Sequence, residues 1–334
     1  MKTIAFPDER LKVHGLHWFE EDKPVVRRLP QRLKGTFREV VWTLAQSPAG
    51  GRIRFSTDSL VIGVRATVPD NDVMHHITKI GQSGFDIYVD GYFAGSVSPN
   101  AQGKISNDWN WTVGTDKQFR NIEISMPLYK PVTIESIVLD DDAIIKEPRP
   151  YRVSKPIVYY GTSITQGGCA STPGTSYQSF ISRWLDADFV NLGFSGNGFG
   201  EPELAAAISE IDASCFVVDF WANVGGDDYG KKLPGFVGPI KENYPETPIV
   251  VVQPFFFASD RLDCSRHETM RRDSEAFVKR LSEQGDKNIH LLDGYKMISK
   301  EETFGLVDGV HPNSLGFYFM AKGMAPLLKS VLGL

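Results

Sequence analysis

From residue 157 onward the apolar residues stop alternating and come in short unbroken runs, at 157–160, 189–192, 215–220, 249–252 and 289–292. A run without alternation has no face to offer water, so it suits a parallel strand buried on both sides. Between the runs the apolar residues return with helical period, over 176–185, 202–211, 268–283 and 314–332. Parallel neighbours need a long crossover, which a helix supplies. Strand and helix in alternation predict a doubly wound parallel-sheet α/β domain.

The first 145 residues have a different texture. Short β-branched and aromatic runs at 40–44, 60–66, 85–89, 122–126 and 132–138 alternate with period two and are separated by turn residues. That pattern predicts an all-β sandwich of jelly-roll type. Asp90-Gly91 sits between two such runs and reads as a tight hairpin turn. The charged, proline-bearing stretch 140–150 separates the textures, giving an accessory β domain at 1–150 and an α/β domain at 151–334. There is no internal repeat and no low-complexity tract.

Composition removes several function classes. Lys plus Arg total 36 against 41 Asp plus Glu, a net charge of -5, so there is no basic excess to neutralise a nucleic acid backbone. No apolar run approaches the roughly 18 residues of a membrane span, and acidic residues interrupt the start before any export leader forms. A cytoplasmic location is the expectation for the sequence as written, with export the alternative where a leader has been removed. The three cysteines, Cys169, Cys215 and Cys264, include no CxxC pair and are read as reduced thiols.

Ligands of open α/β sheets bind beyond the carboxyl ends of the strands, so the residues after each run carry the chemistry. The first run leads into Gly161-Thr162-Ser163, the second into Gly193-Phe194-Ser195-Gly196-Asn197, the third into Trp221-Ala222-Asn223 and the fourth into Gln253-Pro254; the last loop holds Asp308-Gly309-Val310-His311. A serine hydroxyl becomes nucleophilic only when a base accepts its proton, and acyl transfer needs donors aimed at the oxyanion. Ser163, His311 and Asp308 meet the first need. The N–H groups of Ser163 and Gly196 and the Asn223 amide meet the second. Asp-x-x-His spacing lets the carboxylate hold the ring tautomer that leaves the other nitrogen free as base.

In this order the landmarks resemble the blocks of the SGNH hydrolases, also called GDSL esterases. Gly161-Thr162-Ser163-Ile164 resembles the first block, with Thr162 where the best-known members have Asp. Ser195-Gly196-Asn197 resembles the second, Asn223 the third, and 308–311 the last. Trp221-Ala222-Asn223-Val224 departs from the usual Gly-x-Asn-Asp, which leaves a polar turn residue as the other reading of Asn223. Gly84-Phe85-Asp86-Ile87-Tyr88 resembles a Gly-x-Asp-Leu-Tyr signature of β-rich domains that precede SGNH domains. The resemblance implies that Ser163 attacks an ester carbonyl, that His311 moves the proton and Asp308 orients it, and that Ser163 N–H, Gly196 N–H and Asn223 form the oxyanion hole. It implies no metal and no organic cofactor.

Other features of the sequence have plainer roles beside the chemical ones. Gly193-Phe194-Ser195-Gly196-Asn197 nearly spells a nucleophile elbow, but its fifth residue is not glycine; the same stretch lacks the spacing of a dinucleotide loop. Cys264-x-x-His267 and His75-His76 each lack the second ligand pair of a closed zinc site. Trp109 and Trp111 share a strand face, as a sugar platform or as core, and Trp18-Phe19 is placed to cover the site only if the two halves pack together. The expected function is hydrolysis of short acyl esters, foremost O-acetyl, on a small-molecule or glycan carrier. The alternatives are a lipid or thioester acylhydrolase with the same triad, or a carbohydrate-binding protein with a vestigial hydrolase domain.

Overall fold

The computed structural model describes residues 1–70, 72–106 and 110–334, whose strands form three sheets. One antiparallel sheet runs β1 (Lys2–Ala5), β10 (Thr133–Leu139), β4 (Val61–Thr67) and β7 (Lys104–Ile105), with β8 (Asn110–Thr112) also paired to β4. The other runs β11 (Ile145–Lys146), β3 (Arg52–Thr57), β9 (Arg120–Ser125), β5 (Phe85–Val89) and β6 (Tyr92–Val97), and β2 (Lys12–His14) joins β3. Alternation, shifted by a bulge between Ile134 and Ser136 in β10, sends Ile53, Phe55, Ile122 and Ile124 of one sheet and Ile62, Val64, Ile134 and Ile137 of the other into a single core. The β5–β6 hairpin turns at Asp90 and Gly91, with φ of +49° and +86°, the paired left-handed conformation that matches the twist of the strands.

The third sheet is wholly parallel, in the order β13 (Ala187–Gly193), β12 (Val153–Gly161), β14 (Cys215–Asp219), β15 (Ile249–Val252) and β16 (Ile289–Leu292). Every residue of β14 and β15 is buried, as unbroken apolar runs require. The longer helices are α5 (Tyr177–Leu185), α6 (Pro202–Ile208), α7 (Gly226–Asn243), α8 (Ser265–Glu283) and α9 (Ser314–Val331). The chain starts this sheet at β12, lays β13 on one side and then crosses to the other, so the switch point lies at the carboxyl end of β12. No helix of the described residues is long and apolar enough to cross a membrane.

Shorter helices complete the chain: α1 (Phe19–Asp22), α2 (Glu39–Ala45), α3 (Lys79–Ser83) and α4 (Ser163–Gln166). The run at 40–44, expected as a strand, is helix α2. Its buried residues Val41, Trp42 and Ala45 occupy one helical face, and with Trp18, Leu29 and Phe37 they enter the core of the parallel sheet. Tertiary packing thus overrides the β propensity of two valines. Trp18 does not cover the strand ends; it is buried, and its indole N–H donates to Glu210 at 3.0 Å.

Candidate active site

Ser163 is the first residue of α4, just beyond β12, which lies between β13 and β14 in the parallel sheet. The Thr162 hydroxyl caps the turn by accepting from the Ile164 N–H at 3.2 Å. The turn is held so tightly that a Cβ on Gly161 would meet the Asp219 carbonyl oxygen at 2.4 Å and the Thr165 hydroxyl at 2.1 Å. Glycine is therefore obligatory where the strand ends, and the serine projects from a rigid corner.

The last loop reaches back to this corner. His311 Nε2 lies 2.8 Å from Ser163 Oγ, and His311 Nδ1 lies 2.8 Å from Asp308 Oδ2. The other carboxylate oxygen accepts the N–H groups of Val310 at 3.0 Å and His311 at 2.8 Å. Burial works to raise the Asp308 pKa, but the His311 N–H and ring and the Val310 N–H hold it at about 2. A permanent carboxylate on Nδ1 keeps the proton there and leaves Nε2 as the acceptor facing the serine.

The second and third landmarks meet at Gly198. Its N–H donates to Asn223 Oδ1 at 3.1 Å, and it packs so closely on the β12 corner that a Cβ would lie 2.2 Å from the Gly161 carbonyl oxygen. With its oxygen pinned, Asn223 keeps its NH2 as donor. Gly196 takes φ of +66° with open space beside it. Neither the Ser163 N–H nor the Gly196 N–H has a hydrogen-bond partner among the described residues. Ser195, by contrast, has its N–H on Gln166 Oε1 at 3.0 Å and its side chain against Tyr129, with no imidazole partner among the described residues.

Several contributors act through contacts between residues far apart in the chain. The fully buried Gln166 ties the 193–197 turn to Leu128, donating to its carbonyl at 3.0 Å. Arg28, also buried, donates to the carbonyls of Gly193, Ser47 and Leu44 and lies 4.8 Å over the Phe194 ring; burial lowers its pKa to about 9. Arg38 grips the same turn from outside, donating to Asn197 Oδ1 at 2.8 Å and to its carbonyl at 2.9 Å while paired with Glu201. From the β half, the Tyr129 hydroxyl donates to the Ser163 carbonyl at 3.3 Å. His76 brings its ring to 5.8 Å from that of His311. Of these only His76 is marked in the sequence, as half of the His75-His76 pair.

The remaining expectations separate. His76 and His311 share a neighbour, Cys169, and one ligand atom from each of the three lies within 4.8 Å of the others. His267 instead pairs with Asp260 at 2.8 Å inside the protein. Trp111 lies in β8 opposite Ile62 and packs against the core of the two antiparallel sheets; Trp109 lies outside the described residues.

Residues 154–329 match the GDSL-like lipase/acylhydrolase family, and residues 4–145 match the N-terminal part of SGNH-hydrolase-type esterases. A protein described as a GDSL-like lipase from Bacteroides ovatus is 30% identical, with a TM-score of 0.87 over 99% of this chain and 98% of its own. The salicylyl-acyltransferase SsfX3 of a tetracycline biosynthetic pathway has the same fold at 22% identity, with a TM-score of 0.80 over 100% and 98% of the two chains. A family two carbohydrate esterase from Clostridium thermocellum, solved with cellohexaose, shares the fold at 15% identity, with a TM-score of 0.64 over 85% and 93%. No curated protein matches the chain. The chain belongs to the GDSL-like lipase/acylhydrolase family and is an ester hydrolase of the SGNH type.

Proposed function

We propose that the protein is a serine esterase that removes short acyl groups, foremost O-acetyl, from a carbohydrate. The observation that carries the reading is the unbroken line from Ser163 Oγ through His311 to Asp308, with both contacts at 2.8 Å. Ser163 Oγ attacks the ester carbonyl as His311 Nε2 takes its proton. The oxyanion of the tetrahedral intermediate accepts from Ser163 N–H, Gly196 N–H and the Asn223 amide. His311 then protonates the leaving alcohol, and water, activated by the same imidazole, releases the acid from the acyl-enzyme. In this reading residues 1–150 form an accessory domain of jelly-roll type and 151–334 the hydrolase domain, with Tyr129 brought to the nucleophile by the former.

The acetyl and sugar preferences draw on the carbohydrate esterases that share this fold, an analogy of fold rather than of site. They are tested by acetate release from acetylated xylan and acetylated oligosaccharides, beside the acetate, butyrate and octanoate esters of 4-nitrophenol. Acetate released from a glycan, with activity falling as the chain lengthens, is the expected result. Rising activity with chain length and no acetate from any glycan would replace the reading with a lipid acylhydrolase. A second reading, transfer of the acyl group to an alcohol, is favoured by the full-length match to an acyltransferase. Added alcohols that yield a new ester at the expense of free acid would establish it.

A further inference from the structure

Ester hydrolysis gives no task to two residues that stand beside His311. His76, in the loop between β4 and α3, Cys169, in the turn after α4, and His311 each place a ligand atom within 4.8 Å of the other two. Two imidazoles and a thiol are the donor set of borderline-soft divalent cations, zinc foremost, and are poorly suited to magnesium or calcium. Two further observations concern the same residues. His76 Nδ1 is buried without a hydrogen-bond partner, an arrangement that costs free energy unless a ligand or water takes it up. Cys169 is held at φ of +73°, a conformation rare outside glycine, in a turn that has no room to relax: a Cβ on the preceding Gly168 would meet the Tyr129 hydroxyl at 2.6 Å and the Ser163 carbonyl oxygen at 3.0 Å.

The electrostatics suit a cation once it arrives. The Asp308 carboxylate stands behind His311 at 2.8 Å and adds negative charge, as carboxylates behind metal-bound histidines do.

We propose that a zinc-class divalent cation binds to His76, Cys169 and His311 and reversibly switches the esterase off. The inference rests on the reading of His311 as the catalytic base. Both ring nitrogens of His311 are committed, Nε2 to Ser163 and Nδ1 to Asp308, so an ion that takes either one removes a bond the reaction needs. Binding breaks the Cys169 S–H bond and forms a sulfur–metal bond, and the proton leaves to solvent. The β half supplies one ligand and the α/β half two, so the ion also fastens the loop bearing His76 across the nucleophile.

The test uses Co²⁺ as a spectroscopic probe on the full chain, then Zn²⁺ to displace it. One equivalent of Co²⁺ is expected to give a thiolate-to-metal charge-transfer band, absent in Cys169→Ser and retained in Cys264→Ser. Loss of an outer partner of a metal ligand already costs about 10- to 100-fold in affinity. Losing a ligand in His76→Ala is therefore expected to weaken Zn²⁺ at least about tenfold, in both binding and inhibition of 4-nitrophenyl acetate hydrolysis, each variant measured against its own metal-free rate. Chelator restores the rate, and Mg²⁺ has no effect. No charge-transfer band, or binding and inhibition indifferent to both His76→Ala and Cys169→Ser, would overturn the proposal. Because the band is read without turnover, a protein inactive on every ester would refute the esterase reading while still reporting on the metal site.

Discussion

Replacing Asp308 by Asn isolates what the carboxylate contributes, because the loop has little reason to move. Oδ1 accepts the N–H groups of Val310 and His311, and an amide oxygen accepts the same two bonds. Only the atom facing His311 Nδ1 at 2.8 Å changes, from an acceptor to an NH2 donor. Two donors cannot face each other, so the ring takes the tautomer with its proton on Nε2. That nitrogen then donates to Ser163 Oγ where the reaction requires it to accept. The corresponding substitution in a serine protease triad lowers turnover about 10⁴-fold, or about 5 kcal/mol at about 1.36 kcal/mol per decade, and a loss of that order is expected here.

The stability cost of the same substitution is small. The folded-state pKa of Asp308 is lowered from 3.8 to about 2, so its contribution is present above the unfolded value and disappears as pH falls from about 4 through about 2. The shift sets a ceiling of about 2.4 kcal/mol; because the side chain is 41% exposed, screening reduces this to about 1 kcal/mol. The assay is kcat on 4-nitrophenyl acetate between about pH 6 and 9, with a melting curve on the same sample. A folded Asp308→Asn enzyme within tenfold of wild type would refute the tautomer argument.

Four further outcomes follow from the geometry. Asn223→Ala should lower kcat about 10²- to 10³-fold with little change in KM, the signature of a lost oxyanion donor; equal loss in both parameters would return Asn223 to a turn residue. Arg38→Ala should lower kcat about tenfold while changing stability by about 1 kcal/mol, since Arg38 is 42% exposed and its partner Glu201 17%; unchanged turnover would show that the 195–197 turn holds without it. Gly198→Ala should cost about 1–3 kcal/mol in urea denaturation, because the new methyl would meet backbone oxygen rather than a movable side chain, and it should displace Asn223. Burial raises the Asp219 pKa to about 7, so its contribution is full below the unfolded value near 3.8 and lost as pH rises through about 7. Asp219→Asn should therefore gain stability relative to wild type as pH rises from about 4 to about 7, and parallel stability curves over that range would contradict that.

How far the sequence could be read depended on whether the deciding contact was local. The strand ends were legible because burial on both faces leaves an unbroken apolar run, and the chemistry of such a sheet gathers where those runs stop. Helix α7 was not, because Gly226, Gly230, Pro234, Gly235, Gly238 and Pro239 all oppose helix formation; it forms because Tyr229, Leu233, Phe236, Val237 and Ile240 are buried on one side. The run at 40–44 was too short for its period to separate strand from helix. Of the site, Ser163, His311 and Asp308 stood out by residue type and position. Arg28, Arg38 and Tyr129 did not, since each acts across more than thirty residues through a contact that only the packing of the two halves creates; His76 was visible only as half of a histidine pair, and its approach to His311 was not.

The central claim is that Ser163, activated by His311, is the nucleophile, and covalent labelling tests it most directly. Incubation with diethyl 4-nitrophenyl phosphate should phosphorylate one serine by displacing nitrophenolate, and peptide mass spectrometry locates it. The account predicts a single diethylphosphoryl group on Ser163, with labelling strongly slowed in His311→Ala and absent in Ser163→Ala. A label on Ser195, or labelling of Ser163 at the same rate without His311, would contradict it.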